Sequence, residues 1–528
     1  MQTLRRKPRS EQQKLAEKMI LLKQKSFKQV GEVFEKFIPH TLLRPERDGA
    51  MSRRRLFSKE NTFWAFFSQV LDADGGCKEV IRKLQSYASI KGVKVPSSST
   101  SSYCAARKKL DEQMLSDILA HTADRLEEMP EPGLMNNRRV IVVDGTGVSM
   151  PDTIANQEVW PQPASQKLGC GFPIARICAC FSLKSGALLS YAIGNKKNHE
   201  LPLFRQQWNT FKLGDIILGD KGFCSYFDIA KLKEHGVDSV ITLARRTPVS
   251  AASSLKRLGS DDLLITWQRP VYNAKLSYSI DTWAKLPEEL LLRQIKVTVK
   301  YPGFRTQKFY IVTTLLEAVQ YPSEELAELY FRRWDVELFF RDIKTTMGMD
   351  ILRCQTPKMI RKEMLMYFIA YNCIRRLMCE AAKEADIKVR VVSFKGSVQA
   401  LRTWEPHLNQ AKISRSERLR LISDLYEAMT NTPIKQRPGR SEPRCLTGRG
   451  MLLEGNGTVE EFLGCHGEKL GLALRAVGVK EGFVALLGEV AQPQEFACTK
   501  GENGRFRALA RLRLRSQWNM NNTLLRVV

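Results

Sequence analysis

The feature that most constrains the fold is a series of short apolar runs between residues 138 and 247, two of which end at an aspartate. The run VIVV leads into Asp144, and a second run, in GDIILGDKGF, ends at Asp220. Short uninterrupted apolar runs are typical of strands that are buried on both faces. Strand patterns and helix patterns alternate through this region, and that order favours an α/β fold.

The pattern changes on both sides of this region. Residues 248–320 contain the strand-like runs DLLITWQRP, LLRQIKVTVKY and KFYIVTTL, which predict a β-rich insertion with its own small sheet. Helical patterns follow, and the last segment is strongly glycine-enriched, with 12 of the 33 glycines and no role that we can assign. The predicted divisions are 1–137, 138–247, 248–320, 321–385, 386–445 and 446–528.

The charge of the chain indicates a polyanionic partner. There are 83 Lys and Arg against 56 Asp and Glu, a net charge of +27, which points to nucleic acid or an anionic membrane surface. The most apolar run, MLMYFIAYNCI, is far shorter than the roughly 20 residues that span a bilayer, so nucleic acid is favoured.

The N-terminal 60 residues carry 16 Lys and Arg against 7 Asp and Glu, mostly in helical patterns. We therefore predict a basic helical domain over residues 1–137, with ordinary solvated surface charge as the alternative. The N-terminus has no apolar core typical of a signal peptide.

The cysteines and histidines give no sign of a soft-metal site. The chain has 12 cysteines but no CxxC motif, and Cys178 and Cys180 fall at alternating positions of one apolar run. Their side chains would share one sheet face, so core thiols are the preferred interpretation. The six histidines form no metal-ligand spacing. A reduced, cytosolic protein is expected.

The stretch YFRRWDVELFFRDIK combines large apolar side chains with a line of polar ones. At about 100° per residue, Tyr330, Arg333, Glu337 and Lys344 fall within one helical stripe about 60° wide, with Arg341 at its border. The surrounding aromatic and aliphatic residues predict a mostly buried helix, with Ser323 as its N-cap. Buried polar groups need partners. These side chains either pair with one another in a salt-bridge ladder or bind a partner outside the helix.

Together the acids Asp144, Asp220 and Glu337 suggest a metal site. Each aspartate alone is compatible with a turn or helix cap, but adjacent ends of parallel strands meet at one sheet edge. Three carboxylates gathered there would repel each other, and two Mg²⁺ ions would remove that repulsion. Such a site supports in-line phosphoryl displacement, and the basic chain makes a nucleic acid backbone the expected substrate.

These segments resemble the motifs of a known enzyme family. VVDGTGVSMPD, ILGDKGFCSY and YFRRWDVELFFRDIK are similar to the three motifs of DDE transposases from bacterial insertion sequences of the insertion-sequence-four type. The last segment matches that family's Tyr-x2-Arg-x3-Glu-x6-Lys signature. The flanking segments RRRLFSKENTFWAFFSQVL, SSSTSSYCAARKKL and RPGRSEPR also resemble the family, so the likeness covers roughly residues 50–445.

The resemblance implies a ribonuclease H-like catalytic core, interrupted by the β-rich insertion and flanked by helical regions. It implies that Asp144, Asp220 and Glu337 hold two Mg²⁺ ions, with Mn²⁺ as a substitute. Residues implied or nominated as DNA contacts are Tyr330, Arg333, Lys344, Arg341, Lys221 and Trp267. Trp267 would receive a flipped base, and the alternative for it is a core tryptophan.

The function that follows from the resemblance is cut-and-paste transposition, with cleavage at inverted-repeat ends and joining of 3′-OH ends to target DNA. The implied partners are double-stranded DNA and a second copy of the chain in a synaptic complex, in the cytoplasm of a bacterium at the nucleoid. The alternatives are a metal-dependent nuclease that cuts without joining, and a domesticated DNA-binding protein whose acids are silent.

Overall fold

The apolar runs form strands of one mixed sheet in the computed structural model. The strands are β1 (Val140–Ser149), β2 (Ile174–Ser182), β3 (Leu188–Asn195), β4 (Ile216–Gly219), β5 (Asp238–Thr242), β6 (Lys256–Gly259), β7 (Asp262–Gln268), β8 (Glu289–Val299) and β9 (Gln307–Thr313). The sheet has nine strands in the order β3-β2-β1-β4-β5-β9-β8-β7-β6. β1, β4 and β5 run parallel to one another, whereas the other pairings are antiparallel. The prediction of an α/β fold is therefore confirmed.

The structure describes most of the chain as far as residue 431. The described residues are 34, 37–45, 48–49, 51–52, 55–90, 94–129, 134–167, 169–195, 199–244, 248–273, 278–299, 307–408, 414–431, 496–500 and 506–510. Residues 1–33 of the predicted basic helical domain, the segment RPGRSEPR and most of the glycine-enriched segment lie outside these residues.

Helices cover both faces of the sheet. They are α1 (His40–Leu43), α2 (Lys59–Leu71), α3 (Cys77–Ile90), α4 (Ser101–Lys109), α5 (Glu112–Glu127), α6 (Ile154–Val159), α7 (Glu200–Arg205), α8 (Tyr226–Glu234), α9 (Ile280–Ala284), α10 (Ser323–Phe331), α11 (Asp335–Arg341), α12 (Pro357–Glu384), α13 (Phe394–Leu408) and α14 (Arg415–Thr430). No helix in the described part of the chain is long and apolar enough to cross a bilayer.

Strand β1 alternates between two cores, as the period of a strand requires. Val140 and Val142 contribute to a core that includes the 28-residue helix α12, whereas Ile141 and Val143 contribute to a second core with residues of α7 and α8. The strand continues to Ser149, so the expectation that it ends at Asp144 is wrong. Its antiparallel pairing with β2, which runs to the end of the strand, keeps the backbone extended.

The strands of residues 248–320 do not form a separate sheet. β9 pairs with β5, and β8, β7 and β6 follow in turn, so the insertion extends the main sheet. The predicted small sheet was wrong because the pairing of β5 with β9 joins segments that lie far apart in the sequence. Buried Arg293 fastens this extension, since its Nε donates to Asp262 at 2.8 Å and its Nη1 donates to the carbonyl of Tyr321.

The helices of residues 55–127 share a core with the sheet. α2 and α5 both pack against α12, and their apolar residues belong to the same core as Val140 of β1. The chain divides into two compact units, Met1–Lys435 and Gln436–Val528. In the second unit, β10 (Phe496–Lys500) and β11 (Phe506–Ala510) pair antiparallel.

The predicted core thiols are confirmed. Cys178 and Cys180 are fully buried on the same face of β2, in the core that includes residues of α7 and α8. The nine cysteines between residues 77 and 379 are all free thiols.

Candidate active site

Two aspartates come together where the parallel pairing of β1 with β4 ends. Val142 is the partner of Leu218 in that pairing, so continuing the register two residues sets Asp144 beside Asp220. β4 ends at Gly219, which confirms the predicted strand end before Asp220. Both side chains are partly buried. The two acids therefore lie side by side where the parallel pairing of β1 with β4 ends.

Each aspartate also makes a local backbone hydrogen bond. Oδ1 of Asp144 accepts from the N–H of Gly145 at 2.7 Å, and Oδ1 of Asp220 accepts from the N–H of Gly222 at 2.7 Å. Asp220 in this way caps a 3₁₀ turn at Lys221–Phe223. Both aspartates therefore form local turns, as the alternative interpretation predicted. Each of them uses only its Oδ1 atom for this hydrogen bond.

The third acid lies on a helical segment that is less regular than predicted. After α10, a 3₁₀ turn covers Arg332–Trp334, and after α11 a π-helical turn covers Asp342–Thr346. Such irregular turns are frequent at functional sites. The N-cap is Pro322, so the prediction for Ser323 was wrong.

The helical segment is also less buried than predicted. Phe331, Trp334 and Leu338 have exposed fractions of 38%, 43% and 43%. Their spacing of three and four residues places them on one face of the helix, which here is turned to solvent rather than to the core.

Arg333 connects this helix to the strand edge. Its Nη1 lies 3.8 Å from Oδ2 of Asp144, and its Nη2 lies 3.9 Å from Oε1 of Glu337. Both distances are longer than hydrogen bonds. The side chain is only 7% exposed, its guanidinium lies 4.4 Å from the ring centre of Trp334, and its Nε has no hydrogen-bond partner among the described residues. A buried guanidinium held this loosely is ready to bind an anion.

The other two signature residues lie on the same side of the helix. Tyr330 is buried, accepts a hydrogen bond from the hydroxyl of Thr242 at the end of β5, and has a pKa raised mainly by burial. Lys344 donates to Oγ1 of Thr146 on β1 at 3.1 Å. The polar stripe therefore faces β5 and β1, and β1 is the strand that carries Asp144.

Glu337 is the most loosely held of the three acids. Its side chain is 54% exposed. Among the described residues, no three histidine, cysteine, aspartate or glutamate side chains lie close enough to form a complete metal-ion site. The structure thus pairs Asp144 with Asp220 and links Asp144 to Glu337 through Arg333, without closing the three acids into one cage.

The electrostatics at Asp144 nevertheless fit a divalent cation. Burial is the main cause that raises the pKa of Asp144 to about 6, and the nearby charges of Asp220 and Glu200 raise it further. The N–H of Gly145 and the cation Arg333 oppose that shift without cancelling it. A hard cation such as Mg²⁺ would stabilise the ionised form of a carboxylate that is buried beside another acid.

Glu200 is an acid near Asp144 that the sequence analysis missed. It begins α7, between β3 and β4, and its carboxylate approaches Gly145 and Gly222. The acid is part of the segment NHELPLF. Nothing in its local pattern distinguishes it from the many acids found in the first turn of a helix.

The remaining predicted DNA contacts differ in exposure. Lys221 is exposed beside Asp220, and Arg341 is exposed on the helix, 3.9 Å from Asp342. Trp267 is only 4% exposed and packs in the core that includes Ile265 and Leu292. Its burial leaves no open ring face for a flipped base, so the core alternative is the better description and we correct that prediction.

The chain has a mixed sheet, two aspartates on neighbouring strands and a glutamate on a helix after an insertion. This arrangement agrees with what a comparison with known protein families finds. The family described as "Transposase DDE domain" matches residues 136–373, which include the three acids. The resemblance noted in the sequence is therefore confirmed: residues 136–373 match the DDE transposase domain, and a transposase of IS4 is among the relatives of the chain.

Curated relatives carry the same description. The chain is 23% identical over 338 residues to "Transposase InsG for insertion sequence element IS4" of Escherichia coli (strain K12), which covers 63% of this chain and 72% of the relative. It is 20% identical over 270 residues to "Transposase for insertion sequence element IS231F" of Bacillus thuringiensis subsp. israelensis, covering 44% and 55%. A shorter match, 31% over 84 residues, is to "Probable transposase for insertion sequence element IS5377" of Geobacillus stearothermophilus, covering 16% and 22%.

Proposed function

We propose that this chain moves an insertion sequence by cut-and-paste transposition, cutting DNA at inverted-repeat ends and joining the 3′-OH ends to target DNA. The observation that carries the proposal is that Asp144 and Asp220 lie side by side where the pairing of β1 with β4 ends, and that Arg333 connects Asp144 to Glu337. The relatives support it because their names are those of insertion-sequence transposases.

The catalytic core in this proposal is ribonuclease H-like. It comprises residues 138–247 and 321–385, separated by the insertion 248–320, with 386–445 as a helical C-terminal region and residues 1–137 binding the transposon ends. The mixed order β3-β2-β1-β4-β5, with the third acid on the helix after the insertion, supports this division.

Asp144, Asp220 and Glu337 are the residues that would hold two Mg²⁺ ions, or Mn²⁺ in their place. When bound, such ions neutralise developing charge on the phosphoryl group and activate the attacking oxygen. The donor set is made of carboxylate oxygens, which suits these hard cations. Because the Glu337 side chain is half-exposed, its carboxylate is free to turn toward the two aspartates.

The cationic and aromatic residues bind and orient the DNA. Arg333 offers an unpaired buried donor beside Asp144, so it would hold the phosphate next to the scissile bond through paired hydrogen bonds. Tyr330 and Lys344 flank it on the same face and would contact the neighbouring phosphates. The exposed cations Lys221 and Arg341 would add attraction for the backbone without a fixed geometry.

The proposal includes a homodimer that holds two transposon ends together, in the cytoplasm at the bacterial nucleoid. Paired ends explain why one DNA-joining site per chain suffices to process an element with two ends. The net charge of +27 fits a chain that binds long segments of DNA backbone.

The test uses Asp144→Asn, Asp220→Asn and Glu337→Gln, which remove charge but keep shape. DNA from the flanks of the reading frame is the substrate, and products are separated on denaturing gels. We expect each variant to lose cleavage by roughly 10³-fold or more while binding the DNA with affinity close to that of the unmodified chain. The control is Glu112→Gln, a half-buried glutamate in the first turn of α5, a helix that carries none of the proposed site residues.

Pre-cleaved ends and a plasmid target separate the alternatives. Covalent joining of end to plasmid supports transposition, whereas cleavage without joining identifies a nuclease. Full activity in the Asp144, Asp220 and Glu337 variants would overturn the proposal and favour a DNA-binding protein whose acids are silent.

A further inference from the structure

Strand β1 continues beyond Asp144 to Ser149, and this extension lies against the segment that follows α11. The N–H of Ser149 donates to the carbonyl of Asp350 at 3.0 Å, and the N–H of Leu352 donates to the carbonyl of Ser149 at 2.9 Å. The carbonyl of Lys344 in turn accepts from the N–H of Asp350 at 3.3 Å. The end of β1 is therefore joined by backbone hydrogen bonds to the turn that carries Lys344.

Thr146 lies on the same face of this extension as Asp144. Side chains two residues apart in a strand point to the same face, and Val142 and Val148 on that face belong to the core that includes residues of α12. The Oγ1 of Thr146 accepts a hydrogen bond from Nζ of Lys344 at 3.1 Å. The hydroxyl therefore connects the strand that carries the first aspartate to the last residue of the polar stripe.

Lys344 has few partners for a half-buried cation. An ammonium group has three N–H donors. In the described part of the chain, the ammonium of Lys344 makes one hydrogen bond, to a neutral hydroxyl, and forms no ion pair. Its charge and its other donors are therefore left for a ligand such as a phosphate. Because a lysine side chain has several rotatable bonds, a phosphate meets the ammonium in one place only if another group holds it there.

A second threonine makes a matching contact at the other end of the stripe. Thr242, at the end of β5, donates from its hydroxyl to the hydroxyl of Tyr330. β1 and β5 lie on either side of β4 in the sheet, so the two threonines flank the strand that leads to Asp220. Strand hydroxyls thus hold both ends of the stripe, and Arg333 lies between them beside Asp144.

The hydroxyl of Thr146 is not needed to hold the two segments together. Backbone hydrogen bonds through Ser149, Asp350 and Leu352 already join them. A valine at position 146 would keep the pairing of β1 with β2, because β-branched residues suit strands. What the hydroxyl adds is a fixed position for one cationic group.

We propose that Thr146 is a positioning residue, whose hydroxyl holds the Lys344 ammonium at a fixed place relative to Asp144 so that it meets the DNA phosphate beside the acids. This inference rests on the proposed function, because it concerns how the same site receives its substrate. It also gives the extension of β1 beyond Asp144 a role, which is to dock the turn that carries Lys344.

Fluorescence anisotropy tests this through binding of the full chain to DNA from the flanks of the reading frame, without added divalent ions so that the DNA stays intact. Thr146→Val removes the hydroxyl but keeps the branched shape, and it should weaken binding by roughly threefold to tenfold. Thr146→Ser keeps the hydroxyl and should bind within about twofold of the unmodified chain. The matched control is Thr298→Val on β8, an exposed threonine separated from β1 by β4, β5 and β9, and its affinity should not change.

The same substitution in a Lys344→Ala background separates positioning from a general effect on the strand. If the hydroxyl acts through the lysine, Thr146→Val should change the affinity for DNA by less than about twofold once the lysine is removed. An equal loss of affinity in both backgrounds would overturn the inference, because the effect would then not pass through Lys344.

Two outcomes separate this inference from the proposed function. If Lys344→Ala weakens binding while Thr146→Val binds normally, Thr146 is not a positioning residue but the lysine contact stands. If Lys344→Ala binds normally, the DNA contact assigned to Lys344 is itself wrong, and the inference fails with it. Circular dichroism checks folding, and if Thr146→Val is misfolded, Thr146→Ala takes its place in both backgrounds with the same expectations.

Discussion

Asp342 is an acid buried at the start of the π-helical turn, five residues after Glu337. Burial is the main cause that raises its pKa to about 6, and the cations Arg375 and Arg341 oppose the shift only in part. In an unfolded chain its pKa is close to 3.8. The folded state therefore holds the proton of Asp342 to a higher pH than the unfolded state does.

This difference predicts a pH-dependent effect of Asp342→Asn on stability. Between about pH 4 and 6 the unfolded state loses the proton first, so the free energy of unfolding of the unmodified chain falls as pH rises. The neutral variant escapes this loss. It should match the unmodified chain near pH 4 and be more stable above pH 6, by at most about 3 kcal/mol.

Urea unfolding of both chains at pH 4.5 and pH 7.5 checks this expectation, because charges shared by the two chains cancel in the comparison. A variant that is less stable than the unmodified chain at pH 7.5 would show that Asp342 is ionised and held by Arg375 instead. The interpretation of Asp342 as a buried acid whose charge is not balanced by nearby cations would then be wrong.

Single residues also show what the sequence could and could not reveal about the site. Asp220 was predictable because an apolar strand ends immediately before it, and the residues of the polar stripe were predictable because helical spacing is local. Glu200 was not, since its approach to the backbone of β1 depends on the absence of a side chain at Gly145, which is a matter of packing. The exposure of Trp267 was predicted wrongly for the same reason. The local sequence does not show whether a tryptophan in a strand faces the core or the solvent.

At the scale of elements, β1 offers a direct test of how closely α7 must approach. Gly145→Ala would place a methyl group where the Glu200 carboxylate lies, so either the side chain or the strand has to move. Because Gly145 directly follows Asp144, we expect cleavage to fall by about tenfold or more.

Gly147→Ala on the same strand is the control for that experiment. A Cβ there would meet Ile174 at 3.5 Å and the carbonyl of Ala175 at 3.8 Å, which are ordinary contact distances. Its activity should therefore stay within about twofold of the unmodified chain. Equal effects of the two substitutions would mean that β1 tolerates no side chain on this stretch, for reasons unrelated to Glu200.

The elements themselves were predictable more reliably than their pairing. The runs of residues 248–320 were correctly read as strands because alternation and β-branched side chains are local signals. The pairing of β9 with β5 was not predictable. It depends on which strand of the β1, β4 and β5 group has an unpaired edge, and the local sequence does not show this. The 3₁₀ and π turns around α11 also escaped prediction, since the apolar pattern there continues through both.

At the scale of the whole molecule, the excess of positive charge predicts how binding depends on salt. A chain that neutralises several phosphates releases the counterions they held, so its affinity for DNA falls steeply as salt increases. Each side chain that contacts a phosphate contributes about one unit to the slope of log affinity against log salt. The slope therefore counts phosphate contacts, which net charge alone does not.

Arg333→Ala and Lys344→Ala should each weaken binding to the flanking DNA and reduce that slope by about one, measured by fluorescence anisotropy from 50 to 300 mM salt (an experimental range of roughly sixfold). Lys212→Ala is the matched control, because Lys212 is an exposed lysine that precedes β4, at the end of the strand opposite Asp220. If the Lys212 variant changed the slope as much as the other two, DNA would be bound by the general charge of the surface. A reduced slope in the Arg333 and Lys344 variants alone would place the DNA backbone beside the three acids. Only that result would connect the positive charge of the molecule to the chemistry of its site.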